Sequence, residues 1–192
     1  MREARRAPHD HATGESRRAQ PGRGTTSIQR MKDISSAHYD AMTRSACFVC
    51  RIVEGRPLFP NPRVVYDDER VIAFLNQFPS QEGYAIVCPK RHAERFETDL
   101  SADEWLHLQR AVQQVARAVA TVTGAIRMYI ASLGSPERNA QVHIHVCPCP
   151  AGTPFEEQQF AAMDLRGRPF LALSNARLNE LAESIRSAIG AG

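Results

Sequence analysis

The chain has 192 residues, 43% hydrophobic content and a formal net charge of +3 at pH 7, which suits one globular domain able to bury a core without disulfides or metal. It has no apolar run approaching the roughly 18 residues of a membrane-spanning helix, and its basic N-terminus lacks the apolar segment of a secretory signal. Residues 1–32 carry +5 and the remainder −2, so the basicity describes a tail and not a nucleic-acid-binding surface.

Residues 1–42 are rich in Arg, Gly, Ser, Thr and Pro. Such a segment buries too little surface to offset its ordering entropy and is expected to be a disordered basic tail. Pro8 and Pro21 interrupt any long amphipathic targeting helix, so the expected location is cytoplasmic. Met31 is an alternative start. The folded domain is expected over 43–192. It opens with Cys47-Phe48-Val49-Cys50, a short helical turn ending at Gly55. Val64–Tyr66 and Val71–Leu75 are predicted strands joined by the turn Asp67–Arg70, giving a hairpin. Asn76 to Gly83 is a loop, and Tyr84–Cys88 is a third strand stopped by Pro89.

Ser101-Ala102-Asp103-Glu104 has the form of a capping box. The apolar residues after it, Trp105, Leu108, Val112, Val115, Val119 and Val122, recur at helical spacing, and Gly124 ends the helix. Ile126–Ala131 is a fourth predicted strand and Gln141–Pro148 a fifth. Ser174 to Ile189 reads as a terminal helix. This order describes an α+β fold, an antiparallel sheet of about five strands covered by a long helix, with an additional C-terminal helix. The five cysteines are an odd number, and the close pairs Cys47/Cys50 and Cys147/Cys149 suit reduced thiols better than a disulfide framework.

The chemistry concentrates in Gln141-Val142-His143-Ile144-His145-Val146-Cys147-Pro148. Its strict alternation puts Gln141, His143 and His145 on one face of a strand and Val142, Ile144 and Val146 into a core. An unprotonated imidazole nitrogen is a good nucleophile toward phosphorus. A backbone carbonyl accepting from Nδ1–H would aim the His143 ring and leave Nε2 free. Taken alone, two histidines at this spacing also suit metal ligation or a surface without a role.

The segment resembles the motif of the histidine triad (HIT) family, His-φ-His-φ-His-φ-φ with φ apolar. The likeness extends to Cys47-x-x-Cys50-x-Ile52-x-x-Gly55, to Val71–Pro79 and to Gly83–His92, and so covers about residues 45 to 160. It implies a HIT-like fold and a nucleotide hydrolase or nucleotidyltransferase. The implied substrates carry phosphoanhydride or phosphoramidate bonds, as in dinucleoside polyphosphates, and the implied intermediate is a nucleotidyl-histidine. By the same resemblance His143 is the nucleophile and His145 contacts phosphate. Asn76 lies where ribose or base is bound, and Asn139 lies in the phosphate-binding turn. Phe74 and Ile72 are candidate apolar walls for a base, with core packing as the equal alternative. Gln141 is a further substrate-binding candidate. Homodimerisation through the long helix and an edge strand is implied, with neither a membrane nor a specific nucleic acid as partner.

Three positions depart from the family pattern. Gln141 replaces the first triad histidine, which in relatives supports the site or ligates a structural zinc with the cysteine pair and the histidine at the His92 position. Cys47, Cys50 and His92 are thus three of four implied ligands, and an amide oxygen is a poor fourth beside thiolate and imidazole. No cofactor is required for the chemistry itself. Arg138 stands where glycine is usual, so its bulk would block phosphate or its charge would grip it. Tyr84 stands where histidine is common and is read as structural. Two other functions remain open: a nucleotide-binding module with weak or no catalysis, and a metal-dependent protein built on Cys47, Cys50 and His92.

Overall fold

The computed structural model of the chain describes residues 46–59, 61–164 and 170–191. The expected basic tail, with His9, His11 and His38, lies outside the described residues. Five strands form one sheet: β1 (Val64–Asp67), β2 (Val71–Leu75), β3 (Ala85–Pro89), β4 (Arg127–Ala131) and β5 (Ile144–Cys149). Their order is β1-β2-β3-β5-β4, and every neighbouring pair is antiparallel. The helices are α1 (Phe48–Val53), α2 (Phe96–Asp99), α3 (Ala102–Thr123), α4 (Phe160–Met163) and α5 (Asn175–Gly190). The α+β reading of the sequence describes this architecture.

Strand alternation sorts the core into two layers. Val71, Ala73 and Leu75 of β2, Ala85 and Val87 of β3, and Val142, Ile144 and Val146 point toward α3 and α5. There they meet Leu108, Val112, Val115 and Val119 of the predicted helical stripe, together with Leu181 and Ile185 of α5. Helix α3 starts as its sequence requires. The Ser101 hydroxyl accepts from the Glu104 amide, and the Glu104 carboxylate accepts from the Ser101 amide, so two amides at the helix start are satisfied reciprocally. It ends at Gly124 in the left-handed region, φ +65°, where a residue without Cβ is least strained.

The opposite face of the sheet is covered as well, which the sequence reading did not anticipate. Ile72, Phe74, Tyr84, Ile86, Cys88 and Cys147 pack there with Val49 of α1 and Ala162 and Met163 of α4. Every residue of β2, β3 and β5 is therefore buried. The predicted strand at Gln141 begins later, at Ile144. Strand β3 ends at Pro89, and the chain beyond it leaves the sheet, so the Val142 amide donates to the Ala93 carbonyl at 2.6 Å instead of to a ladder partner. Helix α5 runs one residue past its expected stop, through Gly190. The ion pair of Arg177 with Glu82, 2.7 Å, ties its first turn to the loop before β3. Among the described residues no helix is long and apolar enough to cross a membrane.

Candidate active site

His143 and His145 emerge on the face opposite α3 because Val142, Ile144 and Val146 take the other one. Both rings are buried, 4% and 8% exposed, and their centroids stand 4.9 Å apart. His143 Nδ1 lies 2.6 Å from the carbonyl oxygen of Gln141. A carbonyl only accepts, so Nδ1 carries the hydrogen and the lone pair of the neutral ring sits on Nε2. The Nδ1 of His145 lies 2.8 Å from the Tyr84 hydroxyl, which is itself buried. The sequence reading of Tyr84 as structural did not foresee this contact.

Burial lowers the pKa of His143 below the ordinary imidazole value, against a smaller opposing effect of its bond to the Gln141 carbonyl. Burial also lowers that of His145, to about 3, with the neighbouring His143 ring adding to the shift. Both shifts favour the neutral imidazole near pH 7.

The two histidines open into a cavity. Phe74, Ile86 and Phe78 line it from the sheet and the loop after β2, and Phe48, Ile52, Leu58 and Phe59 from α1 and the segment after it. Phe48 stands edge-on to Phe74 (6.1 Å between centroids, 89°) and to His143 (5.6 Å, 85°), so α1 fixes one wall and the His143 ring together. Mainly apolar walls with a few convergent polar groups are the usual make-up of a small-molecule site. Asn76 and Asn139 line the cavity with the histidines. Asn76 is held by accepting from the Phe78 amide at 3.0 Å. Asn139 has φ +51°, the left-handed conformation that asparagine tolerates better than most residues. Gly134 is packed against this turn: a Cβ there would lie 2.8 Å from the Asn139 carbonyl oxygen and 3.3 Å from His143 Cε1. No motif in the sequence had marked Gly134, Phe48 or Phe59.

Other candidates fall elsewhere. Ile72 belongs to the apolar cluster behind the cavity and is not among its lining residues. Arg138 closes a turn with Ser135 through two backbone hydrogen bonds, 3.1 and 3.2 Å, and lines a separate groove with Cys47, His92 and Gln141. The side chain of Gln141 is not among the residues lining the cavity. It is 1% exposed. Its Nε2 donates to the carbonyls of Pro89 and Arg91, both at 3.0 Å, and its Oε1 accepts from the Ala93 amide at 3.1 Å. This fastens the chain after β3 to the chain before β5, and the amide lines the outer groove instead of the cavity.

The ligand atoms of Cys47, Cys50 and His92 all lie within 4.8 Å of one another. Cys50 Sγ is 3.3 Å from His92 Nδ1, and His92 Nε2 is 3.2 Å from the Glu94 carboxylate. A carboxylate accepting from Nε2–H leaves the Nδ1 lone pair directed at the thiols, the arrangement that commonly orients a metal-bound histidine. Gln141 Oε1 is 4.0 Å from Cys47 Sγ. Burial and the adjacent Cys47 push the Cys50 thiol up to about 11. His107 of α3 is half-buried and pairs with Asp68 at 2.8 Å.

The HIT domain pattern matches residues 61–151. An uncharacterized HIT-like protein of Saccharolobus solfataricus is 35% identical over 101 residues, which are 52% of this chain and 69% of that one. A bifunctional bis(5'-adenosyl)-triphosphatase/adenylylsulfatase of Arabidopsis thaliana is 33% identical over 113 residues, 57% of this chain and 62% of that one. The crystal structure of a zinc-bound histidine triad family protein from Mycobacterium smegmatis has the same fold, with a TM-score of 0.59 and 22% identity, covering 76% of this chain and 94% of that one. The chain belongs to the HIT family.

Replacing Gln141 by alanine removes the side-chain partner of the buried Pro89 carbonyl and Ala93 amide and of the part-buried Arg91 carbonyl, so Gln141→Ala is expected to cost about 3 kcal/mol of stability in urea denaturation. A second expectation concerns pH. The unfolded chain protonates these two histidines near pH 6.5, whereas burial holds both folded-state values lower. The unfolded state then binds more protons, and stability falls as pH drops from about 6.5 toward 5. The decline should be shallower in His145→Gln than in the parent protein, as followed by thermal melts across that range.

Proposed function

We propose that the protein is a nucleotide hydrolase or nucleotidyltransferase that cleaves phosphoanhydride or phosphoramidate bonds, as in dinucleoside polyphosphates, by way of a nucleotidyl-His143 intermediate. The observation that carries this reading is the His143 Nε2 lone pair, aimed by the Nδ1–H bond to Gln141, at the edge of an aromatic-walled cavity. The membership in the HIT family and the adenosyl-triphosphatase activity named for the Arabidopsis relative support it. The base packs among Phe48, Phe59 and Phe74, and Asn76 and Asn139 meet the sugar and phosphate.

Nε2 of His143 attacks the nearer phosphorus in line with the scissile bond. The new N–P bond forms as the P–O or P–N bond breaks, and the leaving group departs with the electron pair. Water then attacks the same phosphorus, the N–P bond breaks and its pair returns to Nε2, and the water's proton passes to solvent. The product is a nucleoside monophosphate, or a transferred nucleotidyl group where another nucleophile replaces water. Within this reading Gln141 acts at a distance: its amide holds the backbone whose carbonyl orients His143, so the chemistry does not need a histidine there. A nucleotide-binding module without turnover is the other reading of the same cavity.

We infer further that Cys47, Cys50 and His92 hold a structural zinc, with Gln141 Oε1 or a water as fourth ligand. Their spacing supports it, since Zn–S and Zn–N distances of about 2.3 and 2.0 Å place ligand atoms roughly 3.5–4 Å apart in a tetrahedron. The metal would brace α1, and with it Phe48, against the chain after β3. Two copies of the chain would pair through the β4 edge, where Ile126 and Ile130 are exposed.

The decisive experiment incubates the protein with a panel of adenylated and guanylated compounds, quenches it and looks for a nucleotide on His143 by mass spectrometry. Turnover should be abolished in His143→Ala; unchanged turnover rejects the mechanism, and tight AMP binding with no turnover of any compound favours the binding module. Elemental analysis of the purified protein is expected to find close to one zinc per chain, lost in Cys50→Ser. Its absence would leave the cysteine pair as plain thiols.

A further inference from the structure

Tyr84 is the polar group that neither the sequence reading nor the proposed chemistry uses. It is 1% exposed, and its hydroxyl lies 2.8 Å from His145 Nδ1. It follows Gly83, whose φ of +81° and lack of a side chain let the loop lie against α3; a Cβ there would stand 2.6 Å from Thr123 Cγ2. Strand β3 begins one residue later and pairs Ala85 with Val146 and Ile86 with His145. The Tyr84 ring is thereby set beside His145, with centroids 5.7 Å apart and the rings steeply inclined at 66°. Tyr84 directly precedes β3 and His145 lies in β5, and both side chains are buried.

We propose that Tyr84 is a positioning residue that sets the tautomer of His145, holding Nδ1 bare and placing the proton on Nε2. The chemistry of the pair gives the direction. A phenol is a weak acid near pH 10 and a good donor but a poor acceptor, whereas the bare nitrogen of a neutral imidazole is a strong acceptor. The bond therefore runs from the Tyr84 hydroxyl to His145 Nδ1. Burial disfavours the imidazolium alternative, in which Nδ1 would donate instead.

The two histidines then hold opposite tautomers. His143 keeps its proton on Nδ1, against the Gln141 carbonyl, and offers a bare Nε2. His145 keeps its proton on Nε2 and offers a donor. Side by side, with centroids 4.9 Å apart, they form one nucleophile and one neutral hydrogen-bond donor. Resting on the nucleotidyl-transfer reading, the role of that donor is to bind a phosphate oxygen as negative charge gathers there, the proton staying on Nε2 throughout.

The test is heteronuclear NMR on the full chain carrying ¹⁵N-labelled histidine, at pH 7.5. In the parent protein His143 is expected as the Nδ1–H form and His145 as the Nε2–H form. A proton on Nδ1 of His145 overturns the proposal, whether or not any variant folds. In Tyr84→Phe the His145 signals should shift to a mixture of tautomers while those of His143 keep their pattern, which also reports that the fold is intact. On a nucleotide that the parent protein turns over, kcat should fall on the order of tenfold, the loss of one buried hydrogen bond, with KM nearly unchanged. An unaltered tautomer and unaltered kcat in Tyr84→Phe would refute the role. If the parent protein turns over no nucleotide at all, the catalytic reading fails while the NMR result still decides for or against the tyrosine lock.

Discussion

A 2.6 Å hydrogen bond from His143 Nδ1 to the carbonyl of Gln141 is the constraint on which the site depends. Its acceptor belongs to a residue two positions earlier in the same chain, so it is sensitive to the path of residues 141–143. Those residues are not held by a strand ladder. The Val142 amide and the Gln141 side chain tie them to the carbonyls and amide of residues 89–93. The aim of the His143 Nε2 therefore rests on interactions outside the cavity, on the side where Cys47, Cys50 and His92 converge.

This arrangement gives the glutamine a coherent place. A side-chain amide has two donor hydrogens and an acceptor oxygen, and here both ends are engaged among buried backbone groups. A buried backbone group left without a partner costs about 1–3 kcal/mol. An imidazole in the same place could satisfy at most two partners through its ring nitrogens. The exchange of the first triad histidine for glutamine thus shifts this position toward hydrogen bonding of the backbone while leaving the His143 carbonyl contact in place.

Much of the fold was legible in the sequence because its signals are local. The short apolar run Val71–Leu75 bounded by turn residues, the capping box at Ser101 and the apolar stripe through Val119 each follow from the geometry of a single element. The strand with His145, and His143 just before it, were legible for the same reason, since Val142, Ile144 and Val146 leave the histidines only one face. The second covered face of the sheet was not legible. It is built by α1 and α4, six and four residues long, too short for any periodic signal, and their docking depends on contacts far away in the chain. The engagement of the Gln141 amide with residues 89–93 was not legible either. Alternation describes a strand, but the strand begins only at Ile144.

By itself the sequence determined the α+β class, the long capped helix, the shared face of the two histidines and the family resemblance, because propensity, periodicity and motif spacing are written in neighbouring residues. Only the tertiary structure decided that Phe48 and Phe59 would wall the cavity, that Gly134 would press against His143 and that the Gln141 amide would bond the chain after β3. It likewise set the hydroxyl of Tyr84 against His145 across 61 positions of chain. Such contacts depend on the pairing of β3 with β5 and on the path of loops around it, and no local pattern of residues encodes either.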